Sequence, residues 1–440
     1  MVTETLQFAE WFRSTTPYIR IHRGKTFVIQ FDDDAVASVN FTSLVHDLAL
    51  LNSIGIRLVL VYGSRHCIEH RLQDRKLTLH YHNGLRVTTA EAMECVKESV
   101  GQLGIEIAAR LSMGLGNTPM SNARLRVSSG NFIIAKPLGV IDGVDYQYTG
   151  EIRRIDVDAI NERLKSQEII LVPPLGYSIT GEIFNLSASE LAARLAVSLQ
   201  ADKLIYLLEA EGMCNGQGKL IREMTWQDAE SVLWSSGNTD NDQYRYFRAA
   251  IEAARHGVDR VHLVDRRRDG ALLHELFTRD GAGTMISSMP YDLVRKAEVD
   301  DIGGLLELIM PLEQQGILVE RSREKLELEI EHFTLMERDG VIIGCVALYP
   351  FPDGNGAELA CLAVHPDYHR SGRGEQLLSQ LENEAGAVGI QRLFILTTHA
   401  EHWFLERGFV HADLDDLPVE RKTLYNYQRN SKVLVKQLSG

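Results

Sequence analysis

The chain has 440 residues, 45% of them apolar and 24% charged, and its formal charge is −14 from 46 basic and 60 acidic side chains. At ~150 residues per domain, that length suggests two or three domains, and the composition excludes wholesale disorder and collagen-like repeats. The acidic balance argues against a nucleic-acid partner, which needs clustered Lys and Arg to neutralise phosphate.

Along the chain, residues 6–18 read as an amphipathic helix, with Phe8, Trp11 and Phe12 at i, i+3 and i+4. It packs either on its own domain or against another subunit. This start carries acids and lacks the basic and apolar regions of a secretory signal. Residues 26–31 form a short apolar run, residues 41–54 show a helical stripe through Leu44, Leu48 and Leu51, and residues 56–62 (IRLVLVY) form a β-rich run ending at Gly63. Further strand candidates are residues 132–135, 169–172, 204–208 and 260–264, with helices at 188–199 and 243–256. Helices alternating with apolar strands predict a largely parallel sheet covered on both faces. A polar stretch with Pro290 at residues 287–291 marks a boundary, after which the pattern restarts: strand 293–296, a helix from the acidic cap at 300–301 through 309, helix 322–331, and strands 333–338, 341–349 and 358–364.

No apolar run approaches the ~18–20 residues of a membrane span. The cysteines (67, 95, 214, 345 and 361) are odd in number and widely spaced, with no CxxC pair. They read as reduced thiols of a cytoplasmic protein, with no metal cluster.

The most informative segment is residues 358–378, ELACLAVHPDYHRSGRGEQLL. A strand runs into a turn at His365–Pro366, and a Gly-containing loop then opens a helix at Glu375. Glycines there let backbone approach an anion, and amides at a helix start hold phosphate. The lysine of a Walker loop and the three-glycine dinucleotide spacing are both absent. The segment resembles the coenzyme A loop of GNAT acetyltransferases. Gly372 and Gly374 match, and His369 stands where Arg or Gln is usual. The resemblance implies acetyl-CoA as cosubstrate, held by the main chain of Leu362, Ala363 and Val364 and by His369, Arg370, Ser371, Gly372, Arg373 and Gly374. Strand 393–396 and WFLERGF (403–409) extend it, but Phe404 replaces the tyrosine that in the family protonates the leaving thiolate. Glu358, the only acid in its strand, is the candidate base. Thr397, after the next strand, is the candidate to orient water or donate to sulfur, with a backbone-satisfying hydroxyl as the other reading.

The whole chain from Pro17 onward resembles the bacterial N-acetylglutamate synthase family. Matching stretches include HRGKTFVI (22–29), SGNFI (129–133), EQQGIL (313–318), RSRE (321–324) and YNYQR (425–429). The resemblance implies acetyl transfer from acetyl-CoA to L-glutamate, the first step of arginine biosynthesis. Glutamate's carboxylates call for cations, and Arg321, Cys361, Arg429 and Ser431 match the family's glutamate-holding positions. Residues 291–440 hold 15 basic and 25 acidic side chains, yet the last twenty residues carry five cations and no acid.

Residues ~20–285 resemble the amino-acid kinase family, most closely the arginine-sensitive acetylglutamate kinases. That implies an open, mostly parallel sheet sandwiched by helices, followed by a smaller α+β GNAT domain. The kinase chemistry, however, is depleted. Gln30 stands in a lysine slot, Asp32–Asp33 in two glycine slots, Gly63–Ser64–Arg65 at the second Gly-rich turn, Ala188–Ser189 where the NxNAD stretch has Ala–Asp, and Tyr246 at a later lysine. Carboxylates there repel phosphate, so no nucleotide is expected to bind. The resemblance instead implies regulation by L-arginine at Tyr18, His262, Glu275, Gly281 and Gly283, and a homo-hexamer.

The expected organisation is an N-terminal helix (1–20), a kinase-like regulatory domain (21–287), a linker (288–293) and a GNAT domain (294–440). Two other readings are an acetylglutamate kinase with an accessory acetyltransferase domain, and a non-catalytic arginine sensor. The residues at 30, 32 and 33 weigh against the first, and the intact loop glycines, Glu358 and the Arg429–Ser431 pair against the second.

Overall fold

The computed structural model describes residues 2–114, 118, 120–235, 242–278, 281–289, 292–338, 340–351, 356–369, 372–418, 422 and 431–438. The chain forms two compact units, Met1–Pro290 and Tyr291–Gly440.

The first unit is built on an eight-stranded sheet. Its order is Glu223–Thr225, Thr284–Ser287, Arg260–Asp265, Lys203–Leu208, Thr26–Phe31, Arg57–Tyr62, Ile169–Val172, Val127–Ser128. Every neighbouring pair is parallel except Arg260–Asp265 with Thr284–Ser287. The central strands are buried along their whole length because helices cover both faces. Period-two alternation sends Phe27, Ile29 and Phe31 into one core with helices Phe41–Ser53 and Ala90–Leu111. Val28 joins the opposite core with helices Ala188–Ser198 and Asp242–Arg255.

One expected strand belongs elsewhere. Ile133–Pro137 lies in a second, four-stranded sheet with Gly150–Ile155, Leu175–Tyr177 and Ile183–Asn185, three of whose neighbours alternate in direction or pair over a single residue. Its outer half is exposed, which a central strand of the parallel sheet would not be. The N-terminal helix is longer than its aromatic stripe suggested, Val2–His22. Phe12 is 54% exposed, while Tyr18 and Ile19 pack on the core; the side chains of Phe8 and Trp11 lie outside the described residues.

The second unit is a seven-stranded sheet in the order Leu293–Lys296, Phe333–Arg338, Val341–Pro350, Gly356–Val364, Arg392–Thr397, Lys432–Gln437, Val410–Ala412. Helix Arg373–Ala387 covers one face through Leu377, Leu378 and Leu381. Helix Ile302–Gln314 covers the other through Leu305, Leu308 and Ile309. Among the described residues only Gly356–Val364 and Arg392–Thr397 pair in parallel, from Gly356 opposite Arg392 to Leu359 opposite Ile395. Among the described residues that pairing ends there, although the first strand continues to Val364.

Candidate functional site

The end of the Gly356–Val364 strand is shaped by a β-bulge. Cys345 pairs with Ala363 but Ala347 with Ala360, so one extra residue is inserted on this strand. Cys361 takes φ +52°, a left-handed conformation costing a non-glycine residue ~1 kcal/mol or more. The Cys345 thiol donates to the Cys361 carbonyl at 3.3 Å and holds the bulge. The bulge also switches the faces. Ala357 and Leu359 point to the Arg373–Ala387 side, and beyond it Leu362 and Val364 do, while Cys361 and Ala363 join the opposite core. Glu358 is therefore on the face opposite Leu359, half-buried, directly across from Tyr349. Past Leu359 the strand has lost its parallel neighbour, so backbone of residues 360–364 faces a gap in the sheet where an extended ligand can hydrogen-bond.

The Gly loop follows at once. His369 Nε2 donates to the Val364 carbonyl at 2.8 Å. Gly372, at φ +78°, caps a helix that begins at Arg373, two residues before the expected start at Glu375. The first helical bond runs from Gln376 N to Gly372 O (3.0 Å), so the amides of Gly374 and Glu375 stand ahead of the helical ladder and carry its positive end. A Cβ on Gly374 would come within 3.3 Å of the Trp403 ring. The Arg373 side chain does not face this loop. It is buried, 2.7 Å from Asp292 and 4.9 Å from the Tyr368 ring, so only its main chain is available for the anion role expected of it. Arg370 and Ser371 lie outside the described residues.

Thr397 accepts a hydrogen bond from Ala400 N at 3.0 Å, the backbone-satisfying alternative. Phe404 is buried against Trp403 and Phe409, so the position that usually holds an acid is hydrocarbon. Arg321 joins the Cys361 side of the sheet, close to Cys361 and Tyr349, with Nη1 donating to the Val319 carbonyl at 3.0 Å. Ser431 directly precedes strand Lys432–Gln437, and Arg429 lies outside the described residues. Sequence reasoning missed Tyr349 and Glu329, whose side chains meet at 2.8 Å. Tyr349 is placed by the hairpin register and Glu329 by the end of helix Arg323–Glu329, and neither carries a local motif.

In the first unit the five expected arginine-site residues lie around the end of helix Ala271–Phe277. Glu275 Oε1 accepts from His262 Nδ1 at 2.6 Å, and Oε2 accepts the amides of Ala282 (2.5 Å) and Gly283 (2.9 Å). These bonds outweigh burial and hold the Glu275 carboxyl down at about 2. Gly281 and Gly283 are demanded by space: a Cβ would lie 2.5 Å from Glu275 Oε2 at the first and 2.0 Å from the Leu263 carbonyl oxygen at the second. Tyr18 stands 6.3 Å from His22, whose Nε2 donates to Leu276 O at 2.8 Å. Lys203, unanticipated, puts Nζ 3.3 Å from His262 Nε2.

Burial, then Lys203, pushes both His22 and His262 down to about 4 from an ordinary 6.5. The fold thus prefers them neutral while the unfolded chain protonates them. Their contribution is complete above pH 6.5 and is lost as pH falls from there toward 4. The first unit is expected to lose about 2 kcal/mol per histidine by pH 5. Thermal melts from pH 7.5 to 5 check this, and His22→Gln should flatten the slope.

The depleted kinase positions have found one another. Gln30, fully buried, donates through Nε2 to Asp32 Oδ1 at 2.9 Å, and the Tyr246 hydroxyl donates to Asp32 Oδ2. Burial pushes the Asp32 carboxyl above its ordinary range. A Cβ on Gly63 would lie 1.9 Å from Asp32 Oδ1, so Asp32 fills the space against that turn. Asp33, Asp34 and His66 bring ligand-type atoms within 4.8 Å of one another. Hydrogen bonding to Asp33 raises His66 to about 9, making it the counter-cation of both carboxylates.

A bulged, diverging strand, a Gly-capped helix and a nearby carboxylate define an acyltransferase domain, here joined to an amino-acid-kinase fold. Family comparison agrees: the amino acid kinase family matches residues 25–265, and the acetyltransferase (GNAT) family residues 304–409. Amino-acid acetyltransferases of Pseudomonas syringae pv. syringae and Pseudomonas fluorescens strain Pf0-1 are each 52% identical over 432 residues, covering 98% of this chain and all of theirs. The N-acetylglutamate synthase of Neisseria gonorrhoeae, solved with coenzyme A and L-arginine, is 38% identical with a TM-score of 0.89, covering 98% of this chain and 100% of that one. The same enzyme solved with coenzyme A and N-acetyl-glutamate is 39% identical with a TM-score of 0.64 and the same coverage. The chain belongs to the amino-acid acetyltransferase family.

Proposed function

We propose that this chain transfers the acetyl group of acetyl-CoA to the amine of L-glutamate, giving N-acetyl-L-glutamate and CoA. The observation that carries this is Glu358 beside the bulged end of a strand that has lost its neighbour, in a chain that matches amino-acid acetyltransferases over 98% of its length. Coenzyme A is held by the main chain of residues 362–364 and by the 369–374 loop. Arg321, Arg429 and Ser431 hold the glutamate carboxylates. Glu358, directly or through water, takes the proton of the ammonium group. The amine then attacks the thioester carbonyl, whose developing oxyanion is met by bulge amides. The C–N bond forms, the C–S bond breaks, and CoA leaves as a thiolate. With Phe404 in the acid's place, the thiolate takes its proton from solvent, which a thiol pKa near ~8.5 permits. No step needs a metal.

L-arginine binds in the first unit at Tyr18, His262, Glu275, Gly281 and Gly283 and inhibits. Glu275 suits a guanidinium or ammonium group, and inhibition requires only different arginine affinity in two states. Nucleotide does not bind, because Asp32 and Tyr246 occupy the phosphoryl-transfer positions. The exposed Phe12 supports the N-terminal helix as a subunit contact in a hexamer. Among the described residues no helix is long and apolar enough to cross a membrane, and a cytoplasmic location fits this chemistry.

Thiol release from acetyl-CoA with glutamate, with and without arginine, and with ATP as a control, tests the reading. Glutamate-dependent, arginine-suppressed release supports it; ATP-dependent phosphorylation of N-acetylglutamate would replace it with the kinase. Arg429→Ala is expected to raise KM for glutamate ~10-fold or more and to leave KM for acetyl-CoA within about twofold. Equal effects on both would make Arg429 structural.

A further inference from the structure

We propose that Tyr349 and Glu329 form a positioning relay that aims the Arg321 guanidinium at a carboxylate of the glutamate substrate. The inference rests on the N-acetylglutamate reading and adds to it a specificity-determining pair outside the recognisable motifs.

Tyr349 lies in the Val341–Pro350 strand directly opposite Glu358, on the face shared with Cys361 and the helix Ile302–Gln314. Its ring packs on His332 with centroids 4.8 Å apart, which fixes the direction of the hydroxyl. That hydroxyl donates its one proton to Glu329 Oε2 at 2.8 Å. Its oxygen lone pairs are then left for the guanidinium of Arg321, which lies beside it. Nη1 of Arg321 donates to the Val319 carbonyl at 3.0 Å, and its backbone amide to Glu313 Oε1 at 3.1 Å.

The carbonyl that accepts from the guanidinium and the phenol beside it are both neutral. Among the described residues no carboxylate comes within ion-pair distance of it. A half-buried arginine that donates to a carbonyl and lies beside a phenol keeps its net charge for an incoming anion, whereas one paired to Asp or Glu would not. Glu329 acts at one remove. By accepting the phenol's hydrogen bond it leaves the lone pairs of the Tyr349 oxygen as acceptors and adds negative potential without touching the guanidinium. The register also places Tyr349 directly opposite the candidate base, so that one substrate can present its carboxylate to Arg321 and its amine to Glu358.

Steady-state kinetics of Tyr349→Phe and Glu329→Gln test the relay, using the full chain and varying glutamate and acetyl-CoA separately. Each variant is expected to raise KM for glutamate about tenfold, the worth of one hydrogen bond of ~1.4 kcal/mol, with kcat and KM for acetyl-CoA within about twofold. In an Arg321→Lys background, Tyr349→Phe should add little further loss, because it acts through the guanidinium. Additive losses, or equal shifts in both KM values, overturn the proposal. Should Tyr349→Phe misfold, as a thermal melt would reveal, Glu329→Gln decides alone. If the unaltered protein releases no thiol with glutamate, the functional reading fails instead, which separates the two failures.

Discussion

Replacing Glu358 with glutamine is expected to lower kcat by about two to four orders of magnitude, the usual worth of a positioned general base. KM for acetyl-CoA should stay within about twofold, because the coenzyme is held by main chain and the Gly loop. The substitution is nearly isosteric and half-exposed, so the melting temperature should hardly move. A variant that keeps its full kcat would remove Glu358 from the mechanism and leave the bulge amides alone to account for the rate.

The second large effect concerns arginine. Glu275→Gln is expected to raise the arginine concentration needed for half-inhibition about 10- to 100-fold, corresponding to loss of a charge-assisted hydrogen bond of ~1.5–3 kcal/mol. Without arginine the rate should be near that of the unaltered chain, since Glu275 belongs to the first unit. Both Glu275 oxygens already serve as acceptors, one for His262 and one for the Ala282 and Gly283 amides. A glutamine amide must turn an N–H toward one of them, so the loop at residues 281–283 loosens as well. Calorimetric titration with arginine checks binding independently of catalysis. Unchanged affinity would make the Glu275 cluster a structural tie between a helix and a sheet edge.

Much of this was legible in the sequence, and for identifiable reasons. The central strands at residues 26–31, 57–62, 169–172 and 203–208 announced themselves as unbroken apolar runs because helices cover both of their faces. The Gly loop was legible as a turn into a helix because a left-handed backbone favours glycine, and Gly372 takes φ +78°. The substitutions at 30, 32 and 246 could be read as lost phosphate contacts because the missing chemistry is local to each residue.

Other features could not be read locally. The bulge at Cys361 arises from a mismatch between two strands, and neither strand's sequence alone encodes it. Its consequence, that side chains on the two sides of the bulge exchange faces, decides which residues share a surface with Glu358. Tyr349 became visible only through that register. Arg373 read as one residue of the coenzyme loop, but packing places its side chain between Asp292 and the Tyr368 ring. Gln30 and Asp32, and Tyr246 more than two hundred residues further along the chain, read as three separate losses. Folding makes them one buried hydrogen-bonded cluster.

The division follows the range of the forces involved. Residue type, period and glycine placement act over a few neighbours, so the sequence by itself determined the two folds, the Gly loop ahead of a helix and the carboxylates at the first turn of the kinase-like sheet. Which buried polar groups satisfy one another depends on distances across strands and between elements. Only the tertiary structure therefore decided that Tyr349 lies opposite Glu358 and donates to Glu329, that the Thr397 hydroxyl accepts from the Ala400 amide, and that Glu275 is held ionised by His262 and two amides.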